Sequence, residues 1–206
     1  MMPAARDSLL DAAYMALTRR PWSGVRMVDV AAVAGVSRQT LYNEFGSKEG
    51  LARALVRREA DAYLAGVDRA LASHVEPWER LAAVAEWTVA AVRGNALVRA
   101  VLTGCWSERL PSLRLSAVPS SSAVAAQRRA DGPLPSPTDV VGLVRDRAVA
   151  ALTVPGSSGA EALELARACE VAVRLALSCA VVPAGKGGAG ELVREALGSV
   201  VSVSRA

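Results

Sequence analysis

The chain has 206 residues, of which 52% are apolar, only 4% aromatic and 21% charged. It is long enough to bury a core, as two modest helical domains or one larger one. One histidine, His74, and three cysteines, Cys105, Cys169 and Cys179, without metal-ligand spacing argue against a zinc site and a histidine-dependent catalytic triad. The excess of positive charge is local: residues 1–58 hold nine Lys and Arg against five Asp and Glu, whereas residues 59–206 hold fifteen of each. Such a basic segment suits phosphate binding.

The first helix is expected from about Ala5 to Thr18, with Leu9, Leu10, Ala13 and Leu17 as its apolar stripe. Arg19, Arg20 and Pro21 end it, and Trp22 in the loop Trp22-Ser23-Gly24 is assigned to packing against it. Next comes VDVAAVAGVSRQTLYNEF, Val28 to Phe45, which reads as two short helices, Val28–Ala34 and Ser37–Phe45, joined by a tight turn. Ala31 is small where the helices approach, Gly35 supplies a left-handed turn residue, and Leu41 plugs the angle between them, flanked by Val30 and Val36. Ser37 stands where its hydroxyl caps the second helix.

In a helix-turn-helix the second helix enters the major groove. Its first turn then offers Arg38 for guanine and Gln39 for adenine. Thr40 suits a thymine methyl or a phosphate, and Asn43 a base or a phosphate. Leu41 and Phe45 face inward, and Glu44 stays off the DNA because phosphate repels it. Ser47 is expected to cap a fourth helix whose first turn carries Lys48, and free N–H groups beside a lysine form a phosphate site.

That fourth helix continues through Leu51, Ala54, Leu55, Ala62 and Val67 to about Ser73, with Arg53, Arg57 and Arg58 along it and Arg57 spaced to pair with Asp61. A fifth, Pro77–Arg93, carries Trp78, Leu81, Ala85 and Val92 on one side and Trp87 and Ala91 on the other. A short helix, Ala96–Cys105, precedes a Ser- and Pro-rich loop, Ser107–Pro137, with one short helix near Ser122–Ala130. Two long helices follow at about 136–152 and 159–182. The first presents Val140, Val141, Val144, Ala148 and Leu152. The second is apolar on two sides, Leu163, Ala166, Val173 and Leu177 on one and Leu165, Cys169, Ala172, Ala176 and Cys179 on the other. A flexible Gly-rich linker, Pro183–Gly190, leads to a last helix, Glu191–Val203, packing through Leu192, Ala196, Leu197 and Val200.

No signal sequence or membrane span is expected. Arg6, Asp7 and Asp11 interrupt the N-terminal stretch, and Glu164, Arg167, Glu170 and Arg174 interrupt the apolar region 162–184. The sparse cysteines fit a cytoplasmic protein in which they serve as small buried apolar residues. No paired acid cluster, HExxH, nucleophile elbow or cofactor loop is present, so no catalytic residue, metal site or cofactor is assigned and an enzyme is not expected.

The stretch Gly24–Leu51, GVRMVDVAAVAGVSRQTLYNEFGSKEGL, resembles the DNA-binding region of the tetracycline-repressor (TetR) family of bacterial transcription regulators, a resemblance spanning about residues 6–58. Tyr42 and Lys48 match the family's backbone-contacting tyrosine and phosphate-contacting lysine. Two positions depart: Met27 stands where the family usually has a capping, phosphate-touching Thr, and Gln39 where a small residue is usual. The resemblance implies an all-α fold, with a three-helix DNA-binding domain in residues 1–50 and a helical effector-binding and dimerisation domain in 51–206. It implies a homodimeric, ligand-responsive repressor on double-stranded DNA, reading a palindromic operator with half-sites about one helical turn apart or a little more. Ser37, Arg38, Gln39, Thr40, Tyr42, Asn43 and Lys48 form the expected DNA-binding set. It also implies a pocket for a small-molecule effector bordered by Trp87, Cys105 and Trp106, a dimer interface made by the two helices at 136–152 and 159–182, and a fourth helix acting as the lever between domains. The alternative is a C-terminal domain that only dimerises or binds a protein partner.

Overall fold

The computed structural model describes residues 3–111, 134–153, 156, 158–182, 184–185 and 187–203, and every regular element among them is helical. By packing they divide into two units. The first holds the residues up to Glu59 together with the segment from Trp106 to Pro111; the second holds Ala60–Cys105 and the residues from Pro135 onward.

In the N-terminal unit, α1 (Pro3–Arg19) is followed by a 3-10 turn (Trp22–Gly24), α2 (Met27–Val33), α3 (Arg38–Phe45) and the start of α4 (Lys48–Ala72). Their shared core is Leu9, Leu10, Ala13, Val30, Ala31, Leu41, Leu51 and Leu55, all buried. Trp22 is also buried, as expected, and its backbone N–H donates to the Arg109 carbonyl at 2.8 Å, so the segment after residue 105 is tied to the turn between α1 and α2. Arg58 of α4 reaches Asp11 of α1 at 2.6 Å and its neighbour Glu59 at 2.9 Å. Its charge is therefore spent inside this unit.

The C-terminal unit comprises the rest of α4, α5 (Pro77–Gly94), α6 (Ala96–Thr103), α7 (Pro137–Leu152), α8 (Gly159–Val181) and α9 (Gly188–Val203). Asn95 makes a sharp corner: its side-chain oxygen accepts from the N–H groups of Leu97 at 2.9 Å and Val98 at 3.3 Å, and α5 and α6 meet at 117°. Capping boxes start α7 and α8. Ser136 with Asp139, and Ser158 with Glu161, each satisfy two otherwise unpaired N–H groups. The expected α7 face is buried in full: Val140, Val141, Val144, Ala148 and Leu152. Helix α8 buries Cys169, Ala172, Val173, Ala176 and Cys179, and its Arg174 pairs with Glu170 at 2.7 Å within the chain. No single described helix is long and apolar enough to cross a membrane.

Several expectations are corrected. On α4 the expected Leu51, Ala54, Leu55 and Val67 are buried, but Ala62 is exposed, and Val56, Ala60, Tyr63 and Leu71 are buried as well. Tyr63 takes the interior position because its hydroxyl finds a partner there, 3.0 Å from Thr88 on α5. Trp78 is at the margin of exposure and not in the core. The short helix after Asn95 ends at Thr103, ahead of Cys105. The glycine-rich linker is shorter than expected, because Gly188, Ala189 and Gly190 form the first turn of α9. There the Gly190 N–H donates to the Glu86 carboxylate at 2.6 Å, placing a negative charge at a helix start. Ala189, Val193 and Leu197 bury that helix, whereas Leu192 is exposed. The expected helix near Ser122–Ala130 and the side chain of Val200 lie outside the described residues.

Candidate nucleic-acid interface

The turn between α2 and α3 follows from Gly35. Its φ of 69° is left-handed, and around it Gly35 N–H donates to Ala32 O at 3.2 Å and Val36 N–H to Ala31 O at 3.1 Å. This is the paired closure that ends a helix on glycine. Beneath it Ala31 and Leu41 are buried where the two helices meet, and Val30 beside them is buried as well. Val36 is half-buried.

Helix α2 begins without a side-chain cap, since Arg26 occupies the capping position. Met27 is its first residue and is buried, so this position contributes packing where a hydroxyl would contribute a cap. Asp29 compensates in the first turn. Arg26 holds both its oxygens at 2.9 and 3.0 Å and Arg20 approaches at 3.4 Å, and the Arg26 hydrogen bonds keep the carboxyl below its ordinary range.

Helix α3 is capped as the sequence suggested: the Ser37 hydroxyl oxygen accepts from the Thr40 N–H at 3.0 Å. Leu41 and Phe45 point inward, while Arg38, Gln39, Thr40 and Asn43 are exposed and Tyr42 is half-buried. Each outward side chain has a neighbour one turn away. The Ser37 and Thr40 hydroxyls are 2.8 Å apart, the Gln39 amide donates to Asn43 Oδ1 at 2.7 Å, and the Arg38 guanidinium lies 5.4 Å from the centre of the Tyr42 ring. The outward face of α3 is thus ordered by contacts among its own side chains. Glu44 is turned away from it by Arg6 of α1, which pairs with its carboxylate and stacks over Phe45 at 5.0 Å.

Ser47 caps α4 through the Gly50 N–H at 3.1 Å. Lys48, the first residue of that helix, lies over the Trp22 ring at 5.7 Å and donates to the Ser23 carbonyl at 3.1 Å. Five of the seven expected DNA-binding residues therefore share the α3 surface, Ser37 caps its start, and Lys48 is held at the start of α4. Sequence reasoning passed over Arg6 and Gly50. A Cβ at position 50 would stand 1.9 Å from the Phe45 carbonyl oxygen, so glycine sets how closely the end of α3 meets α4.

The three residues expected to border an effector pocket are not brought together in one unit. Trp87 is half-buried in the C-terminal unit, its indole N–H on the Tyr63 carbonyl at 3.0 Å. Cys105 is exposed at the end of that unit, and the exposed Trp106 belongs to the N-terminal one. Nothing in the residues around Trp87 signals the buried Tyr63–Thr88 pair. Thr88 donates to the Val84 carbonyl at 2.8 Å, so Tyr63 is the donor to Thr88, and burial pushes the Tyr63 phenol up to about 12. Among the described residues no cluster of His, Cys, Asp and Glu has the makings of a metal site.

The sequence model of a family described as bacterial regulatory proteins, tetR family, matches residues 9–55. The HTH-type transcriptional regulator AlkX of Mycobacterium tuberculosis (strain ATCC 25618 / H37Rv) is 49% identical over 70 residues, which cover 34% of this chain and 33% of that protein. An uncharacterised HTH-type regulator of the same strain, Rv1255c, is 38% identical over 99 residues, covering 48% of this chain and 49% of that one. The matches thus span a third to a half of these relatives. A solved transcriptional regulator of the TetR/AcrR family from Thermobifida fusca superposes with a TM-score of 0.52 at 17% identity, covering 92% of each chain, which shows a shared fold.

Proposed function

We propose that this chain, whose residues 9–55 match the tetR family of bacterial regulatory proteins, is a cytoplasmic, homodimeric repressor of that family that reads a palindromic operator and releases it on binding a small molecule. One observation carries the reading: a capped helix with its apolar side sealed in the core presents Arg38, Gln39, Thr40 and Asn43 outward, within the segment that holds all the chain's excess positive charge. Arg38 and Gln39 read base edges. Thr40, Tyr42, Asn43 and Lys48 hold the sugar-phosphate backbone, and Ser37 maintains the helix start. For Lys48 this means exchanging the Ser23 carbonyl for a phosphate.

Dimerisation is assigned to α7 and α8. While α8 buries one side within its own unit, Leu163, Val171 and Val181 stay exposed on it, as does Leu143 on α7. An exposed aliphatic face of this kind suits a self-complementary contact. Residues 1–50 serve DNA and 51–206 serve the effector and the partner copy. Helix α4, continuous from Lys48 to Ala72, is the element through which the effector shifts the population of DNA-competent dimers. We assign the effector site to the C-terminal unit, near Trp87, with Cys105 of the same unit as a further candidate contact.

Selection of bound duplexes from a random pool by the purified chain, together with its mass in solution, tests this. A dimer enriching an inverted repeat supports the reading; a dimer enriching no sequence refutes it. A dimer that holds its operator against every small molecule tried points to a C-terminal unit that only dimerises or binds a protein.

A further inference from the structure

We infer that Gln39 and Asn43 act as a single adenine-reading unit in which Asn43 is a positioning residue, fixing which way the Gln39 amide faces; this rests on the DNA-binding reading above. The two side chains sit one turn apart on the exposed face of α3, and Gln39 Nε2 donates to Asn43 Oδ1 at 2.7 Å. A free glutamine is a poor reader. Its side chain is flexible, and turning the amide over exchanges donor for acceptor, so the same residue suits opposite base edges.

Committing one amide hydrogen to Asn43 removes that ambiguity. What remains on Gln39 is one N–H donor and the carbonyl acceptor. Adenine offers the complement in the major groove, an acceptor at N7 and a donor at N6. Guanine offers two acceptors, N7 and O6, so the fixed carbonyl would face another oxygen. The preference for adenine therefore comes as much from this repulsion as from the two bonds gained. Asn43 keeps both its own amide hydrogens for a phosphate or a base acceptor. The neighbouring pairs, Ser37 with Thr40 and Arg38 with Tyr42, order the same face.

The test compares enriched sequences for the full chain and four variants, Gln39→Ala, Asn43→Ala, the double substitution and Gln39→Glu. All four changes are at exposed positions, and a melt of each variant establishes that it is folded. The wild type should enrich an A·T pair at one position of each half-site, by about fivefold to a hundredfold over G·C. Gln39→Ala should erase that preference. Asn43→Ala should weaken it at the same position, and the double variant should be no worse there than Gln39→Ala alone. Gln39→Glu should turn the preference to cytosine, whose N4 donates to a carboxylate. A preference that survives Asn43→Ala, or a loss confined to another position, overturns the inference. If the wild type enriches no sequence, the DNA-binding reading itself falls, an outcome distinct from a consensus that both alanine variants leave intact.

Discussion

An alanine in the middle of an α-helix usually stabilises it relative to glycine, by about 1 kcal/mol. Gly66 of α4 should show the opposite sign. Its site is buried, and a Cβ there would lie 2.1 Å from Cε2 and 2.2 Å from Cζ2 of Trp87. Ordinary carbon contacts are about 3.5–4 Å, so the indole would have to retreat by more than ~1 Å. It is not free to do so, because its N–H is bonded to the Tyr63 carbonyl at 3.0 Å and Arg69 stacks on its face at 5.9 Å. Overpacking of this kind costs about 1–3 kcal/mol and the lost hydrogen bond about 1 more. Against the propensity gain, Gly66→Ala should be destabilised by about 2 kcal/mol, lowering Tm by about 4–8 °C for a chain of 206 residues. Thermal melts followed by far-UV circular dichroism and tryptophan fluorescence measure this. The companion measurement puts Gly66→Ala into a Trp87→Leu background, where the obstacle is smaller and the substitution should be neutral or stabilising. An unchanged or raised Tm for Gly66→Ala alone would refute the argument, as would an equal loss in both backgrounds.

Gly50→Ala should be costlier for function. The clash is with the Phe45 backbone carbonyl, which cannot rotate away as a side chain can, so α3 must shift. A loss of about 2–3 kcal/mol in urea unfolding is expected, with operator binding weakened at least tenfold in a gel-shift titration. Lys48→Ala should weaken binding to consensus and scrambled duplexes alike and lower the slope of log K against log salt by about 1. Burial pushes the Cys169 thiol up to about 12 while Cys105 is exposed. Iodoacetamide at neutral pH should therefore modify Cys105 in the native chain, and Cys169 only after unfolding, as read by peptide mass spectrometry. Hydrogen bonds from the Ser158 backbone and side chain hold the Glu161 carboxyl below its ordinary 4.5. A depressed folded pKa contributes stability above the unfolded value and loses it as pH falls through the folded one. Glu161→Gln should therefore melt below the wild type at neutral pH, with the gap closing as pH falls below the ordinary 4.5.

What the sequence made legible and what it hid divide along a physical line. Features that depend on one residue and its near neighbours were readable. Gly35 needs a backbone region that few other residues tolerate, Ser37 and Ser47 cap the residues that follow them, and α7 announces its buried face through strict helical spacing. The reading face of α3 belongs to this class, since its exposure follows from which positions Leu41 and Phe45 must fill. Features that depend on a partner far along the chain were not. The choice of Tyr63 over Ala62 for the interior turns on a hydroxyl 25 residues away at Thr88, and the place of Gly66 turns on Trp87. The start of α9 was misplaced because glycines signal a break in isolation, whereas here they let Glu86 reach the helix start across 104 residues. The same line runs through the site. Arg38, Gln39 and Asn43 could be named from helical register alone. The ion pair that removes Glu44 from the reading face needs Arg6, on another helix and 38 residues earlier. In this helix-turn-helix the face proposed to meet DNA is accordingly the part most openly written in the chain, and the long-range packing around it is the part that only the fold discloses.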